Sequence, residues 1–238
     1  MIEVFIGNQG KYAENKLAVE PLVLPATSEA LQAVFSKIGI DGKRYEEIHL
    51  TDCQTNVPGL ASHIGEYESI DELNYLAALL EELEENGDLE KFEAAVSLGD
   101  STGSLKELIN LAQNLDCYEL YPDVNDYEAL GTYLINELGY LEIPEHIKNY
   151  FDYEAYGRDV AMDEASDFTD RGYICETGSS FMECYSGLED LPDEYRISTQ
   201  AEVKQKAPSI LDALKQYRKN PPSLPDRKEK SNLTHNER

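Results

Sequence analysis

Residues 69–90 read SIDELNYLAALLEELEENGDLE and mark the point where a β-rich sequence gives way to a helical one. Ser69 and Glu72 form a capping-box pattern, in which the serine side chain accepts a hydrogen bond from the amide of residue 72. The apolar residues that follow recur at helical spacing, at Ile70, Leu73, Ala77 and Leu80. Asn86-Gly87 is a stop signal. The stretch therefore predicts one helix that ends at the Asn-Gly pair.

Two shorter helices extend this helical middle of the chain. The first runs from about residue 88 to residue 98 and places Leu89, Phe92 and Val96 on its inner face. Ser104 is an N-cap candidate for the second, at residues 105–114. We assign residues 67–115 to a small central helical domain.

The chain on either side of this domain mixes strands with helices. In residues 1–66 we predict strands at 2–6, 22–25 and 45–50, a helix at 29–38, and a loop at 10–12. In residues 116–188 we predict a strand at 117–121, helices at 125–138 and 145–156, and a hairpin of 172–176 with 181–185. The fold class is therefore α+β, with three small domains and a basic, partly disordered tail at 189–238 that includes an amphipathic stretch at 209–219.

Negative charge dominates the composition. The chain has 47 acidic and 20 basic residues, but residues 1–200 alone hold 42 acids against 11 bases, a net charge of −31, and the remainder carries +4. Such an excess repels itself in a compact state, and solubility requires far less. One interpretation is imitation of duplex DNA, because 31 charges correspond to roughly 53 Å of its axis. An acidic host proteome or a solvated surface is the alternative interpretation.

The acids concentrate in clusters that do not favour stability. Acids at the C-terminal end of the helix in 69–90 interact unfavourably with its macrodipole. Their presence there is explained either by an interaction with a basic partner or by a solvated helix face. Direct binding to nucleic acid or to an anionic membrane is disfavoured by repulsion. The candidate phosphate-mimicking acids are Glu81, Glu82, Glu84, Glu85, Asp88 and Glu90 in one cluster, and Asp116, Glu119, Asp123, Asp126 and Glu128 in a second. A third cluster holds Glu183, Glu189, Asp190, Asp193 and Glu194.

Catalytic and metal-binding motifs are missing from the sequence. There is no phosphate-binding loop, no Gly-x-Ser-x-Gly and no His-Glu-x-x-His. Residues 123–128 begin like a calcium-binding loop, but Glu128 stands where glycine is needed and Leu134 where the bidentate glutamate belongs. The four cysteines lack a Cys-x-x-Cys pair. We therefore expect a cytoplasmic, non-enzymatic protein without cofactor, metal or membrane span.

The stretch from Ile147 to Val160 carries a specific pattern: Asn149, Tyr150, Asp152, Tyr153, Ala155, Tyr156, Gly157, Arg158 and Asp159. This pattern resembles the antirestriction motif of the ArdA family. Residues 4–12 and 69–74 are similar to the family's opening strand and to its entry into the helical middle. The resemblance covers about residues 1–185, although residues 18–25 and 53–63 depart from it and the chain after about residue 187 has no counterpart.

The resemblance implies an elongated, dimeric mimic of bent B-form DNA, of the kind that mobile elements carry. Such proteins occupy the DNA-binding groove of type I restriction–modification enzymes. Dimer contacts are expected near the motif, whose aromatic residues suit packing and whose Arg158 is expected to pair with Asp152 or Asp159. A role in the dimer or domain interface and a direct contact with the enzyme both remain open for the motif.

Two other function classes compete with this interpretation. The first is an acidic interaction or regulatory protein whose basic target is another DNA-binding protein, such as a nucleoid or transcription factor. The second is a hydrolase that uses a pair of carboxylates, although carboxylate pairs are inevitable among 47 acids and carry little information.

Overall fold

A computed structural model describes residues 1–198 and shows a mixed α/β protein with seven α-helices and two small antiparallel sheets in that part of the chain. The predicted amphipathic stretch at 209–219 lies outside the described residues. None of the described helices combines the length and apolarity that crossing a bilayer requires. The elements are β1 (Ile2–Asn8), α1 (Gln9–Ala13), β2 (Val19–Leu24), α2 (Ser28–Ile38), β3 (Ile48–Thr55), α3 (Ile70–Asn86), α4 (Leu89–Leu98), α5 (Leu105–Ala112), β4 (Tyr118–Tyr121), α6 (Tyr127–Asn136), α7 (Tyr153–Asp163), β5 (Ser166–Thr169) and β6 (Gly172–Glu176).

The first sheet has the order β2-β1-β3 with antiparallel neighbours throughout. Alternation along β1 buries Ile2, Val4 and Ile6 completely. Residues 10–12, predicted as a loop, lie in α1 instead. This short helix forms because the buried Asn8 side chain accepts a hydrogen bond from the Lys11 amide at 2.9 Å and donates one to the Ile38 carbonyl.

The central helices begin where the capping signals place them. The Ser69 hydroxyl accepts from the Glu72 amide at 3.3 Å, and Gly87 ends α3 in a left-handed conformation with φ of 82°. Ser104 caps α5 in the same way as Ser69 caps α3. One hydrophobic core is continuous from the first sheet into α3, α4 and α5. This core crosses the domain boundary predicted at residues 66–67. The division into three domains stays a prediction.

The second sheet, in the order β4-β6-β5, lies between two layers of helix. Ile174 of β6 packs into the core that includes α4, whereas its neighbours Tyr173 and Cys175 face a second core with α6 and α7. The predicted hairpin of 172–176 with 181–185 is wrong, because β6 pairs with β5 across a two-residue turn and with β4 on its other edge. The strand β5 was not predicted because its sequence is short and partly polar.

The helix predicted at 145–156 is also misplaced. Lys148–Tyr150 forms a single 3₁₀ turn, and α7 begins only after Asp152, whose carboxylate accepts from the Ala155 amide at 3.0 Å. Because Asp152 is the cap, α7 begins at Tyr153 and continues through Gly157 to Asp163, whereas the predicted helix ended at residue 156.

Residues 181–198 run back over the central helices mostly as irregular chain, with one 3₁₀ turn at Asp193–Tyr195. Asn110 accepts from the Cys184 and Tyr185 amides at 2.7 and 2.9 Å and donates to the Tyr185 carbonyl, while Asn114 bonds both backbone groups of Met182. An amide side chain offers a donor and an acceptor, as a peptide unit does. The two asparagines therefore supply the hydrogen bonds that a neighbouring strand would give.

The first ten residues of the predicted tail, 189–198, continue along this path. Leu191 and Ile197 are buried in the shared core, and the Asp71 carboxylate accepts from the Ser198 amide and hydroxyl at 2.8 and 2.6 Å. This section of the tail is thus part of the fold of the central helices.

We predict that Asn110→Ala lowers the free energy of unfolding by about 2–3 kcal/mol, because the buried backbone groups of Tyr185 lose their partners. The Tyr185 amide should exchange with solvent faster. Urea unfolding and hydrogen exchange measure the two effects. Asn136→Ala, at an exposed position near the end of α6, is the control and should change stability by less than about 0.5 kcal/mol. Equal effects of the two substitutions would contradict the assigned role of Asn110.

Candidate acidic interaction surface

All eleven candidate phosphate-mimicking acids are exposed. On α3 this follows from helical periodicity, because Leu73, Leu76 and Leu80 face the core and leave the glutamates at the helix end on the solvent side. The second cluster lies around β4 and the beginning of α6, where Asp126 also caps the helix by accepting from the Ala129 amide at 2.8 Å.

These acids are almost entirely without cationic partners. Among the described residues only Glu90 of the eleven forms an ion pair, with Arg171 at 3.0 Å. Seven of the eleven bases in residues 1–198 are paired, but the other acids that they engage lie outside these two clusters. Within the part of the chain that the structure describes, the other ten carboxylates therefore have no cationic partner.

The third cluster is different because its charge is partly compensated. Glu183 pairs with Lys106, and Asp193 lies 3.5 Å from Arg196. Hydrogen bonds from the Ser186 hydroxyl and amide lower the pKa of Asp190. These acids hold the path of residues 183–196 and contribute less free charge than the first two clusters.

The excess charge increases along the chain. Residues 1–66 hold nine acids and five bases, residues 67–115 hold twelve and two, and residues 116–188 hold seventeen and three. The net charges are therefore −4, −10 and −14. The central helices and the part that follows them carry most of the anionic surface.

Gly157 of the motif lies where α7 crosses α6. A Cβ added at Gly157 would overlap the Tyr127 carbonyl oxygen, and one added at Gly131 of α6 would overlap the Tyr153 carbonyl oxygen. Only glycine permits backbones to approach this closely. The two glycines face each other, and this motif position therefore serves the packing of the two helices.

The aromatic residues of the motif divide into two groups. Phe151 meets the rings of Tyr153 and Tyr156 edge to face at 5.1 and 6.0 Å, and Tyr156 also packs against the second core. Tyr150 is 87% exposed. The flanking Asn149 and Asp159 are exposed and Ala155 is partly buried. The exposed positions of the motif are therefore Asn149, Tyr150, Asp152 and Asp159.

The ion pair predicted for Arg158 is wrong. Within residues 1–198, Arg158 lies within pairing distance of neither Asp152 nor Asp159. The Asp152 carboxylate caps α7 instead, and its position at the start of the helix explains why it is unavailable. Arg158 is partly buried on the same helix.

Sequence reasoning missed Gly131 and Arg171. A glycine inside a helix is unfavourable by about 1 kcal/mol relative to alanine. Its presence at position 131, inside a predicted helix, therefore indicated that another backbone packs closely there. Arg171 is one of three bases in residues 116–188, and its rarity among so many acids was the available clue.

The described residues show no cluster of metal ligands, and two of their cysteines are poor nucleophiles. They contain no group of three or more His, Cys, Asp or Glu side chains arranged to hold a metal ion. Burial raises the pKa of Cys175 and of the half-buried Cys53 to about 11. Both thiols are therefore protonated at neutral pH and are poor nucleophiles.

We predict that Gly157→Ala lowers the free energy of unfolding by about 3 kcal/mol, because the added methyl group must push α6 and α7 apart. Thermal or urea unfolding measures the loss. Gly65→Ala is the matched control, since its Cβ would meet only the flexible end of Glu68 at 3.2 Å, and it should be nearly neutral. An equally small effect at Gly157 would show that the crossing is loose.

Comparison with known proteins agrees with the features described above. A family model of the antirestriction protein ArdA matches residues 4–175, which is most of the chain and includes the first sheet, the central helices and the motif. No curated protein matches the chain. The match ends within β6, so the segment that returns over the central helices lies beyond it. On this match, the chain belongs to the ArdA family of antirestriction proteins.

Proposed function

We propose that this chain inhibits type I restriction–modification enzymes, without catalysis, by occupying their DNA-binding groove as a mimic of bent B-form DNA. The observation that carries the proposal is the set of ten exposed acids that have no cationic partner within residues 1–198, in a chain of the ArdA family. A groove that binds DNA presents lysine and arginine side chains to phosphates. Carboxylates held on helices would meet the same side chains.

The affinity of such a mimic is a sum over many weak contacts. Each neutralised charge releases counterions, so binding weakens steeply as salt rises. The folded elements that carry these carboxylates fix their backbone positions before binding, which reduces the entropic cost of association. No single acid is expected to dominate.

We further propose that the active form is a homodimer that forms near the motif. Tyr140, Ile147, Tyr150 and Met162 are exposed apolar side chains in and around it. Large apolar side chains that are exposed together on a surface mark interaction sites, which is why we place the dimer contact here. A dimer would double the length of the anionic surface. An acidic regulatory protein with another basic DNA-binding target is the alternative function.

Competition with DNA tests the proposal. The purified protein is titrated into a type I restriction–modification enzyme bound to a labelled duplex, across a series of salt concentrations. We expect displacement of the duplex at near-stoichiometric protein, weakening as salt rises. A folded dimer that displaces no duplex would contradict the proposal, and recovery of a different DNA-binding protein from a pull-down would favour the alternative.

The placement of charge is tested with two triple variants that remove the same number of acids. Glu81→Gln/Glu82→Gln/Glu85→Gln should weaken displacement at least tenfold, because it neutralises half of the densest cluster. Glu46→Gln/Glu47→Gln/Glu66→Gln, at exposed positions near the first sheet, should weaken it less than threefold. Equal losses would show that net charge alone matters.

The single variant Glu82→Gln tests whether the charge is distributed. It should change displacement by threefold at most, because many contacts remain. Loss of all activity in this variant, with its fold intact by circular dichroism, would contradict a distributed interaction.

A further inference from the structure

Arg171 connects the second sheet to the central helices. It lies in the two-residue turn between β5 and β6, and its guanidinium group reaches across to α4. Nε donates to Glu93 at 2.6 Å and Nη1 donates to Glu90 at 3.0 Å. The two charge-assisted hydrogen bonds therefore join parts of the chain that are about eighty positions apart.

Burial makes this contact specific. The Glu93 side chain is 5% exposed, whereas that of Arg171 is 39% exposed. A buried carboxylate without its partner is strongly unfavourable. Among the described residues Arg171 is the only base that pairs with Glu93, so separation of the turn from α4 leaves that charge unpaired.

The turn that presents Arg171 is itself fixed. The Thr169 hydroxyl accepts from the Arg171 amide at 3.1 Å and donates to the Gly172 carbonyl at 2.9 Å. Gly172 has φ of 115°, a conformation that favours glycine, and its Cα lies against the Tyr121 carbonyl. The guanidinium group is thus held by a rigid turn.

The remaining contact between α4 and the sheet is mainly apolar. Phe92 of α4 and Ile174 of β6 are fully buried in the shared core. Apolar burial holds surfaces together but has no directional preference. The forked hydrogen bonds of an arginine do have one. Arg171 therefore supplies the directional restraint on how the sheet is oriented against α4.

The charge of Arg171 makes its presence informative. It is one of three bases in residues 116–188, and it reduces the negative charge beside Glu90, an acid of the first cluster. A surface selected only for negative charge would not keep a base there. On the basis of the proposed function, we propose that Arg171 is a positioning residue that fixes the α3–α4 acids relative to those of β4 and α6, and that inhibition depends on this geometry.

The test uses a variant that leaves net charge unchanged. Arg171→Gln/Glu93→Gln removes the pair without altering the total charge. Lys37→Gln/Glu20→Gln is the matched control, because it removes a 2.9 Å ion pair between α2 and β2. Each protein is assayed for displacement of labelled duplex from a type I restriction–modification enzyme. Unfolding curves establish that each variant is folded.

A distance measurement reads the geometry directly. Spin labels are attached at Asn86→Cys on α3 and Thr132→Cys on α6, both exposed positions, in a Cys184→Ser background that removes the exposed native thiol. We expect the charge-neutral double variant to broaden the distance distribution and to weaken displacement at least tenfold, whereas the control pair changes neither. Arg171→Lys keeps the charge but loses the fork, and should give intermediate values for both.

An unchanged distance distribution together with unchanged displacement in the folded double variant would overturn the proposal. If the double variant does not fold, Arg171→Lys becomes the deciding variant. A distance distribution and a displacement equal to those of the wild-type protein would then overturn the proposal. If the wild-type protein displaces no duplex, the proposed function fails and so does the role of Arg171 in inhibition. In that case a broadened distribution would still establish Arg171 as the restraint between α4 and the sheet.

Discussion

Electrostatic repulsion is the constraint that the rest of this structure must offset. The first 200 residues carry a net charge of −31, and repulsion on that scale disfavours a compact chain. The fold responds by joining its parts through apolar burial. One core runs from the first sheet through the central helices to Ile174, Leu191 and Ile197. A second core, under α6 and α7, closes the opposite face of the second sheet.

The acids fall into two groups with different physical roles. Asp71, Asp126 and Asp152 accept backbone hydrogen bonds, two of them as helix caps, so their charge stabilises local structure. The glutamates at the end of α3 have no such partners among the described residues and face the unfavourable end of the helix dipole. Their presence has no structural explanation, which is why they are the strongest indication of an external partner. Asp126 belongs to both groups, because it is exposed and also caps α6.

Local signals made α2, α3, α4 and α5 predictable. Ser69 and Ser104 cap helices at the positions that their sequence context indicates, because capping involves residues only three apart. The missed α1 and the misplaced start of α7 involve local caps, Asn8 and Asp152, but the other errors arose where distant residues decide. Asn110 and Asn114 form hydrogen bonds with residues 182–185, which lie some 70 positions later in the sequence. These bonds satisfy the backbone groups there without a neighbouring strand. The mutual approach of Gly131 and Gly157 likewise depends on how two helices cross.

The acids of the candidate surface were recognisable from composition. Which acids are compensated depends on ion pairs such as Lys106 with Glu183, and no local pattern specifies these pairs.

A protein that presents charges in place of phosphates must hold them at fixed separations, and the weakest points in such a scaffold are its joints. Helices are stiff over their length, so errors in spacing arise where one layer packs on the next. The first joint, between the first sheet and α3, lies within a continuous core and is further held by the Asn74 side chain, which accepts from the Ala26 amide at 2.7 Å. The second joint, between α4 and the second sheet, combines apolar burial with the hydrogen bonds of Arg171 and relies on Arg171 for direction. The two most acidic regions of the chain lie on either side of that second joint. Small rotations there displace the largest number of charges, and the geometry of the anionic surface is therefore most sensitive at this position.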